Sequence, residues 1–195
     1  STSRGFSAVP APICSIFYAC RYKVTSILTW NIQCGCGVDG RVDLGRVADV
    51  IKGMGDVDVI CLQEVSRNDC EMDGGKGADQ VTDLSAFFPN HYPVFGSAFN
   101  RLEDTKAQRR QFGNMILSRL PVLQVFKHLL PQPAPEGPHK HMPRQALEVV
   151  VVIDEKPIRI TTTHLEYHSE VQRMAQVKRL LEVQDEVVKN QQYLK

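Results

Sequence analysis

The sequence predicts an α/β protein with a mixed β-sheet core, and three observations support this. The run Val57–Glu64 contains four apolar residues in succession, two of them β-branched, which is typical of a strand buried on both faces. Segments with helical periodicity alternate with such strand-like runs along the chain. Several strands also adjoin hairpin-like turns, which favours a mixed sheet over a purely parallel one.

The first half of the chain is predicted to hold three strands and two helices. Apolar residues in Val42–Met54 recur at the spacing of an amphipathic helix, and Gly53 and Gly55 favour its end. Ser66–Gln80 is polar, acidic and glycine-rich, which predicts a surface loop. The strands are Val24–Ile32, Val57–Glu64 and His91–Ala98, the second helix is Val81–Phe88, and a glycine-rich loop covers Cys34–Gly40.

The second half is predicted to be mostly strand and to end in a long helix. Phe99–Gln111 is charged and is predicted to be a connection between strands. Five prolines in Pro131–Pro143 exclude regular structure there, and the sequence His139-Lys140-His141 within it could bind a metal ion but is better explained as an exposed basic loop. The strands are Phe112–Leu117, Val122–Leu130, Arg144–Asp154 and Ile158–His164; the helix is Ser169–Tyr193, with Ser169 as its N-cap.

Composition indicates one domain at residues 23–195, preceded by an N-terminal arm or leader at residues 1–22. A net charge of +1 excludes a global field that would attract nucleic acid or an anionic membrane. The six cysteines form no Cys-x-x-Cys pair, so a zinc ribbon is not expected, and we expect reduced thiols and a cytoplasmic location. No apolar run is as long as a membrane span.

Polar side chains end three of the predicted strands. Asn31, Glu64 and His164 each follow an apolar run, and Arg144 opens a fourth strand. Amide and carboxylate oxygens suit a hard cation such as Mg²⁺, a histidine can protonate a leaving oxygen, and an arginine can bind a phosphate. Together they predict metal-assisted hydrolysis of a phosphate ester. Taken singly, each has an ordinary structural explanation, such as a turn cap or a surface ion pair.

Five short segments resemble the endonuclease/exonuclease/phosphatase superfamily, which is also called DNase I-like. They occur in the family's order within about residues 24–190 and are similar to bacterial members known only as metal-dependent hydrolases. The resemblance implies a four-layer α/β/β/α sandwich of two mixed sheets with the site where the sheets meet. The segments are Thr29–Ile32, Cys61–Val65, Phe112–Arg119, Arg144–Glu148 and Thr161–Glu166.

The resemblance also implies roles for individual residues. Glu64 is similar to the family's principal Mg²⁺ ligand, with Mn²⁺ as the alternative ion, and Asn31 to its partner beside the metal. His164 resembles the catalytic histidine that binds the scissile phosphate or assists the leaving group. Arg144 resembles an arginine that contacts the phosphate or buttresses the site, and Asn114 a residue that supports the phosphate-binding region.

One departure from the family pattern concerns its later motifs. The Asp-x-Asn motif and the final Asp-His pair do not follow His164, so the resemblance implies a fold incomplete at the C-terminus. Such a chain is expected to expose a sheet edge through which it could self-associate. The alternative function is a non-catalytic module that binds a phosphorylated ligand. Nucleic acid, small phosphodiesters and phosphomonoesters all stay open as substrates. Contacts to a nucleic-acid backbone could come from the basic residues Lys106, Arg109, Arg110, Lys140 and Arg144.

Overall fold

A computed structural model of the chain describes residues 24–72, 74, 76–102, 108–134, 138 and 141–190. The predicted arm at residues 1–22 lies outside them. The described part contains seven strands in two sheets and three α-helices. The strands are β1 Ile27–Asn31, β2 Val59–Arg67, β3 Tyr92–Leu102, β4 Arg109–Ser118, β5 Val122–Leu129, β6 Gln145–Ile153 and β7 Lys156–Thr163; the helices are α1 Leu44–Gly53, α2 Gln80–Phe87 and α3 Glu170–Asn190.

The first sheet has the strand order β1-β2-β4-β3, in which β1 and β2 run parallel and the other pairs are antiparallel. It is therefore mixed, as expected. The second sheet, in the order β5-β6-β7, contains only antiparallel pairs among the described residues. β1, β3, β5 and β7 are the edge strands of these two sheets.

Strand periodicity divides the core into two apolar layers. On β2, Ile60 and Leu62 face α1 and α2, whereas Val59 and Cys61 face the second sheet. The inner face of β6 meets the latter pair with alternate aliphatic side chains. On the other face of the second sheet, α3 packs with Val183 buried. The layers therefore follow the order α/β/β/α, which confirms the predicted sandwich.

The helix and hairpin ends follow local chemistry. Asp43 caps α1 by accepting a hydrogen bond from the Arg46 N–H, and Ser169 Oγ accepts one from the Gln172 N–H, which confirms the predicted N-cap. Asp154 and Glu155 both have positive φ angles, of 47° and 62°, in the two-residue β6–β7 turn. This turn lies one residue before the predicted Glu155–Pro157 turn, and its twist matches that of a tight hairpin.

Two boundaries differ from prediction. The charged segment Phe99–Gln111 was expected to be a connection, but β3 continues to Leu102 and β4 begins at Arg109, forming a long hairpin. Likewise β2 passes Glu64 and continues to Arg67, where a loop was expected. In both places the backbone pairs across strands even though the side chains are polar, and side-chain hydrophobicity does not report such pairing.

Candidate functional site

Glu64 lies at a β-bulge in the middle of β2, not at its end. Leu62 pairs with Met115 and Val65 with Gly113, so two residues of β2 oppose the single Asn114 of β4. Glu64 has a φ angle of 58°, a left-handed conformation that is uncommon for a residue with a side chain. Side chains along a strand alternate between the two faces of the sheet, and the extra residue interrupts this alternation at Glu64. The side chains that follow therefore occupy the opposite face from the one that strict alternation would give.

Asn31 lies beside Glu64 at the end of β1. Parallel pairing places Asn31 opposite Gln63, and the Asn31 Nδ2 donates to Glu64 Oε1 at 2.8 Å. Asn31 Oδ1 accepts the backbone N–H of Gln33 at 3.0 Å in the 3₁₀ turn that follows. The carboxylate is therefore held by an amide that is itself fixed by the backbone.

The second sheet brings His164 and Arg144 to the same position. His164 follows β7, and its Nε2 lies 3.5 Å from Glu64 Oε1. Arg144 precedes β6, and its Nη1 lies 2.8 Å from His164 Nδ1. A guanidinium can only donate, so Nδ1 accepts, and in the neutral ring the proton is on Nε2, the nitrogen nearer to Glu64.

Electrostatics favour the neutral form of His164. Burial lowers the pKa of His164, the positive charge of Arg144 lowers it further, and the charges of Glu64 and Glu166 oppose the shift without cancelling it. At neutral pH the ring is therefore set to act as an N–H donor through Nε2.

Glu166 is a residue of the site to which the sequence assigned no role. Its side chain is 1% exposed, and its Oε2 lies 3.6 Å from Arg144 Nε. Burial alone raises the pKa of this carboxyl, but the His168 N–H bound to Oε1 and the charges of Arg144 and His141 lower it overall. The one sequence signal was an acid two residues beyond a candidate histidine.

Gln63 was also missed, although it joins the two sheets below the site. Its Nε2 donates to Thr162 Oγ1 of β7 at 2.7 Å and to Thr29 Oγ1 of β1 at 3.1 Å. Asn114 makes a second link, because its Nδ2 donates to the Gln145 carbonyl at 3.1 Å. Asn114 is buried and lines a small crevice together with Arg144 and His164.

Several basic groups considered as substrate contacts are already engaged. Arg110 is buried and paired with Asp69 and Glu71, and Arg109 donates to Asn100. Lys106, His139 and Lys140 lie outside the described residues. His141 was expected in an exposed basic loop, but its side chain is only 6% exposed and lies beside Glu166, with 3.6 Å between Nδ1 and Oε1.

Two general searches of the described residues were negative. Among them, no three side chains of His, Cys, Asp or Glu come together as a ready metal-binding group. None of the helices in the described ranges is long and apolar enough to cross a membrane.

The chain is similar to known proteins over most of its length. The model of the Endonuclease/Exonuclease/phosphatase family matches residues 28–186. The chain is 26% identical to a solved endonuclease/exonuclease/phosphatase from Beutenbergia cavernae, with a TM-score of 0.64. It is 17% identical to a solved endonuclease/exonuclease/phosphatase from Bacteroides vulgatus (TM-score 0.56) and 19% identical to TDP2 from Caenorhabditis elegans (TM-score 0.55).

These similarities cover the chain better than they cover the other proteins. The matches include 80% of this chain and 43% of the Beutenbergia protein, 83% and 59% for the Bacteroides protein, and 85% and 43% for TDP2. The chain therefore spans less than two thirds of each of these structures. No curated protein matches the chain.

Proposed function

The chain belongs to the endonuclease/exonuclease/phosphatase family, and on that premise we propose that it hydrolyses phosphate esters with the help of a divalent metal ion. One observation carries the proposal. Asn31 and Glu64 from the first sheet meet His164 and Arg144 from the second, within hydrogen-bonding or ion-pair distance of one another. A carboxylate, an amide, an imidazole and a guanidinium at one point are the groups that such chemistry requires.

The donor set fits Mg²⁺, with Mn²⁺ as the alternative ion. Glu64 Oε1 accepts from Asn31, whereas Oε2 receives no hydrogen bond from any described residue, so an oxygen is left for a cation. Mg²⁺ is commonly held by only one or two carboxylates together with water and substrate phosphates. Such a site does not require three His, Cys, Asp or Glu side chains, and no group of three is found among the described residues.

In the proposed mechanism, Glu64 would hold the metal ion together with Asn31, whose Oδ1 keeps one lone pair beyond the hydrogen bond from the Gln33 N–H. When bound, the ion would neutralise charge on the phosphate and favour attack by water. His164 donates its Nε2–H to an oxygen of the phosphate or of the leaving group. Arg144 is 10% exposed and contacts His164, which favours the buttressing role over direct contact with the phosphate.

We propose that the substrate is a small phosphodiester. Arg109 and Arg110 are occupied by partners of this chain, which argues against an extended basic track for nucleic acid in the described part. A small phosphodiester can be bound by the four site residues alone, which lie where the two sheets meet.

The test is hydrolysis of bis-p-nitrophenyl phosphate by the chain in Mg²⁺ and in EDTA. We expect Mg²⁺-dependent turnover that falls by about 100-fold or more in Glu64→Gln, the effect of losing one preorganised charged group. Glu155→Gln, at the far end of the β6–β7 hairpin, is the matched control and should keep its activity. Equal turnover in Glu64→Gln and Glu155→Gln would refute the proposal, and saturable phosphate binding without turnover would favour the binding module.

A further inference from the structure

The buried Glu166 has no part in the mechanism above, yet its surroundings are unusual. Both of its carboxylate oxygens face N–H donors: Oε1 accepts the backbone N–H of His168 at 2.9 Å, and Oε2 lies 3.6 Å from Arg144 Nε. Neither Oε2 nor Arg144 Nε has a hydrogen-bond partner among the described residues. The two atoms are buried and face each other, so each is the natural counterpart of the other.

The position of Glu166 is fixed by α3. Its backbone N–H donates to Gln176 Oε1 at 2.8 Å, and its carbonyl accepts from Arg173 Nη1 at 3.1 Å. Gln176 is itself buried and donates to the Pro131 carbonyl. The backbone of Glu166 is consequently held by α3, which limits the positions that its carboxylate can take.

The guanidinium of Arg144 contacts two different residues. Its Nε end faces Glu166, and its Nη1 end donates to His164 Nδ1 at 2.8 Å. A guanidinium is planar and rigid, so fixing one end fixes the direction of the other. A buried arginine without a counter-charge would also be strongly disfavoured.

We propose that Glu166 is a positioning residue that holds Arg144 against His164 Nδ1 and thereby keeps the proton of His164 on Nε2, facing Glu64. The importance of this proton for a substrate rests on the proposed function, whereas the positioning itself does not. A glutamine cannot replace the carboxylate, because it offers one acceptor where two donors must be met, and its NH₂ group would face either Arg144 or the His168 N–H.

The test measures the tautomer of His164 directly. Two-bond ¹H–¹⁵N correlation spectra of the ¹⁵N-histidine-labelled chain, at about pH 8 where histidine is neutral, distinguish a protonated Nε2 from a protonated Nδ1. We expect the Nε2–H form alone in the wild-type chain and a mixture of both forms in Glu166→Gln. Turnover of the phosphodiester should fall about 10-fold or more in kcat with a smaller change in KM.

Glu148→Gln is the matched control. Glu148 is equally buried, lies on β6 four residues after Arg144, and pairs with Arg159 and Thr161 instead of a residue of the site. It should be destabilised similarly but keep the wild-type tautomer and kcat. If Glu166→Gln does not fold, Arg144→Lys gives the same test, because an ammonium group is a compact donor that cannot span both Glu166 and His164.

The outcomes separate the two proposals. A single Nε2–H tautomer in Glu166→Gln or Arg144→Lys, or an Nδ1–H form in the wild-type chain, would overturn the positioning role whatever the turnover. A tautomer mixture in Glu166→Gln with no turnover in any variant would uphold the positioning role and refute the proposed hydrolysis. A change of the same size in Glu148→Gln would show a general loss of structure and would also overturn the inference.

Discussion

Replacing Gln63 with leucine should weaken the connection between the two sheets without leaving a cavity. Leucine is close to glutamine in size, so the change removes hydrogen bonds and little volume. Three acceptors lie around Gln63 Nε2, namely Thr162 Oγ1 at 2.7 Å, Thr29 Oγ1 at 3.1 Å and the Cys61 carbonyl at 3.3 Å. An NH₂ group has two hydrogens, so two net bonds of about 1 kcal/mol each are lost, and stability should fall by about 2 kcal/mol.

Urea unfolding measures this loss, because the chain has a single tryptophan, Trp30, whose fluorescence reports on β1 beside Gln63. With a slope of about 2 kcal/mol per molar urea, the midpoint should move down by about 1 M. Thr162→Val removes the same inter-sheet bond from the other side. The double variant should therefore be about 1 kcal/mol more stable than the two single losses predict.

The reasoning would be wrong if Gln63→Leu unfolded at the wild-type midpoint, or if the two substitutions were additive. Either result would mean that the bond between Gln63 and Thr162 contributes nothing to the free energy of unfolding. A second observable follows from the position of Gln63 next to Glu64. His164 and Glu64 lie on different sheets, so a looser junction should also lower phosphodiester turnover.

Two further predictions concern the backbone and the pH dependence. A Cβ added at Gly113 would lie 1.8 Å from a backbone oxygen of β3, so Gly113→Ala should lower the free energy of unfolding in urea by about 3 kcal/mol. Gly53→Ala, in open space on α1, should raise the free energy of unfolding slightly, and equal urea midpoints for the two variants would contradict this prediction. Burial raises the pKa of Asp58, but hydrogen bonds from Ser26 and Arg119 outweigh it and lower the pKa overall. Its contribution is therefore present above about pH 4 and is lost as the pH falls below that, so the stability gap between wild type and Asp58→Asn should close in acid titrations followed by thermal melting, and a constant gap would refute it.

Much of the fold could be predicted because each layer has a simple periodicity. The alternation of Ile60 and Cys61 between two faces already indicates a strand covered on both sides. The same holds for the valine run of β6 and for the amphipathic helix α1. The polar ends of β3 and β4 were not predicted, since their pairing is between backbone groups that leave no hydrophobic pattern.

The site could be predicted in its residue types but not in its geometry. The structure does bring together the predicted residues Asn31, Glu64, His164 and Arg144. Glu64 reaches them because it lies at a bulge, and no local sequence feature predicted its left-handed φ angle. A bulge shows in a sequence only as a change in which face the later side chains occupy. Strict alternation would place Val65 on the face opposite Ile60 and Leu62, but after the bulge it packs in the same cluster as these two residues. The burial of Glu166 depends on Gln176 of α3 and on the 131–134 segment behind that helix, which is distant in sequence.

The bulge at Glu64 and the buried carboxylate of Glu166 both lie at the junction of the two sheets. A residue such as Glu64 in a left-handed conformation costs of the order of 1 kcal/mol or more, and it persists only where the surrounding structure determines it. Here the determinants are Asn31 on one side and the Gln63 and Asn114 links to the second sheet on the other. Strain, buried charge and inter-sheet hydrogen bonds are therefore concentrated where Glu64 meets His164, as expected when local stability is given up for a reactive arrangement.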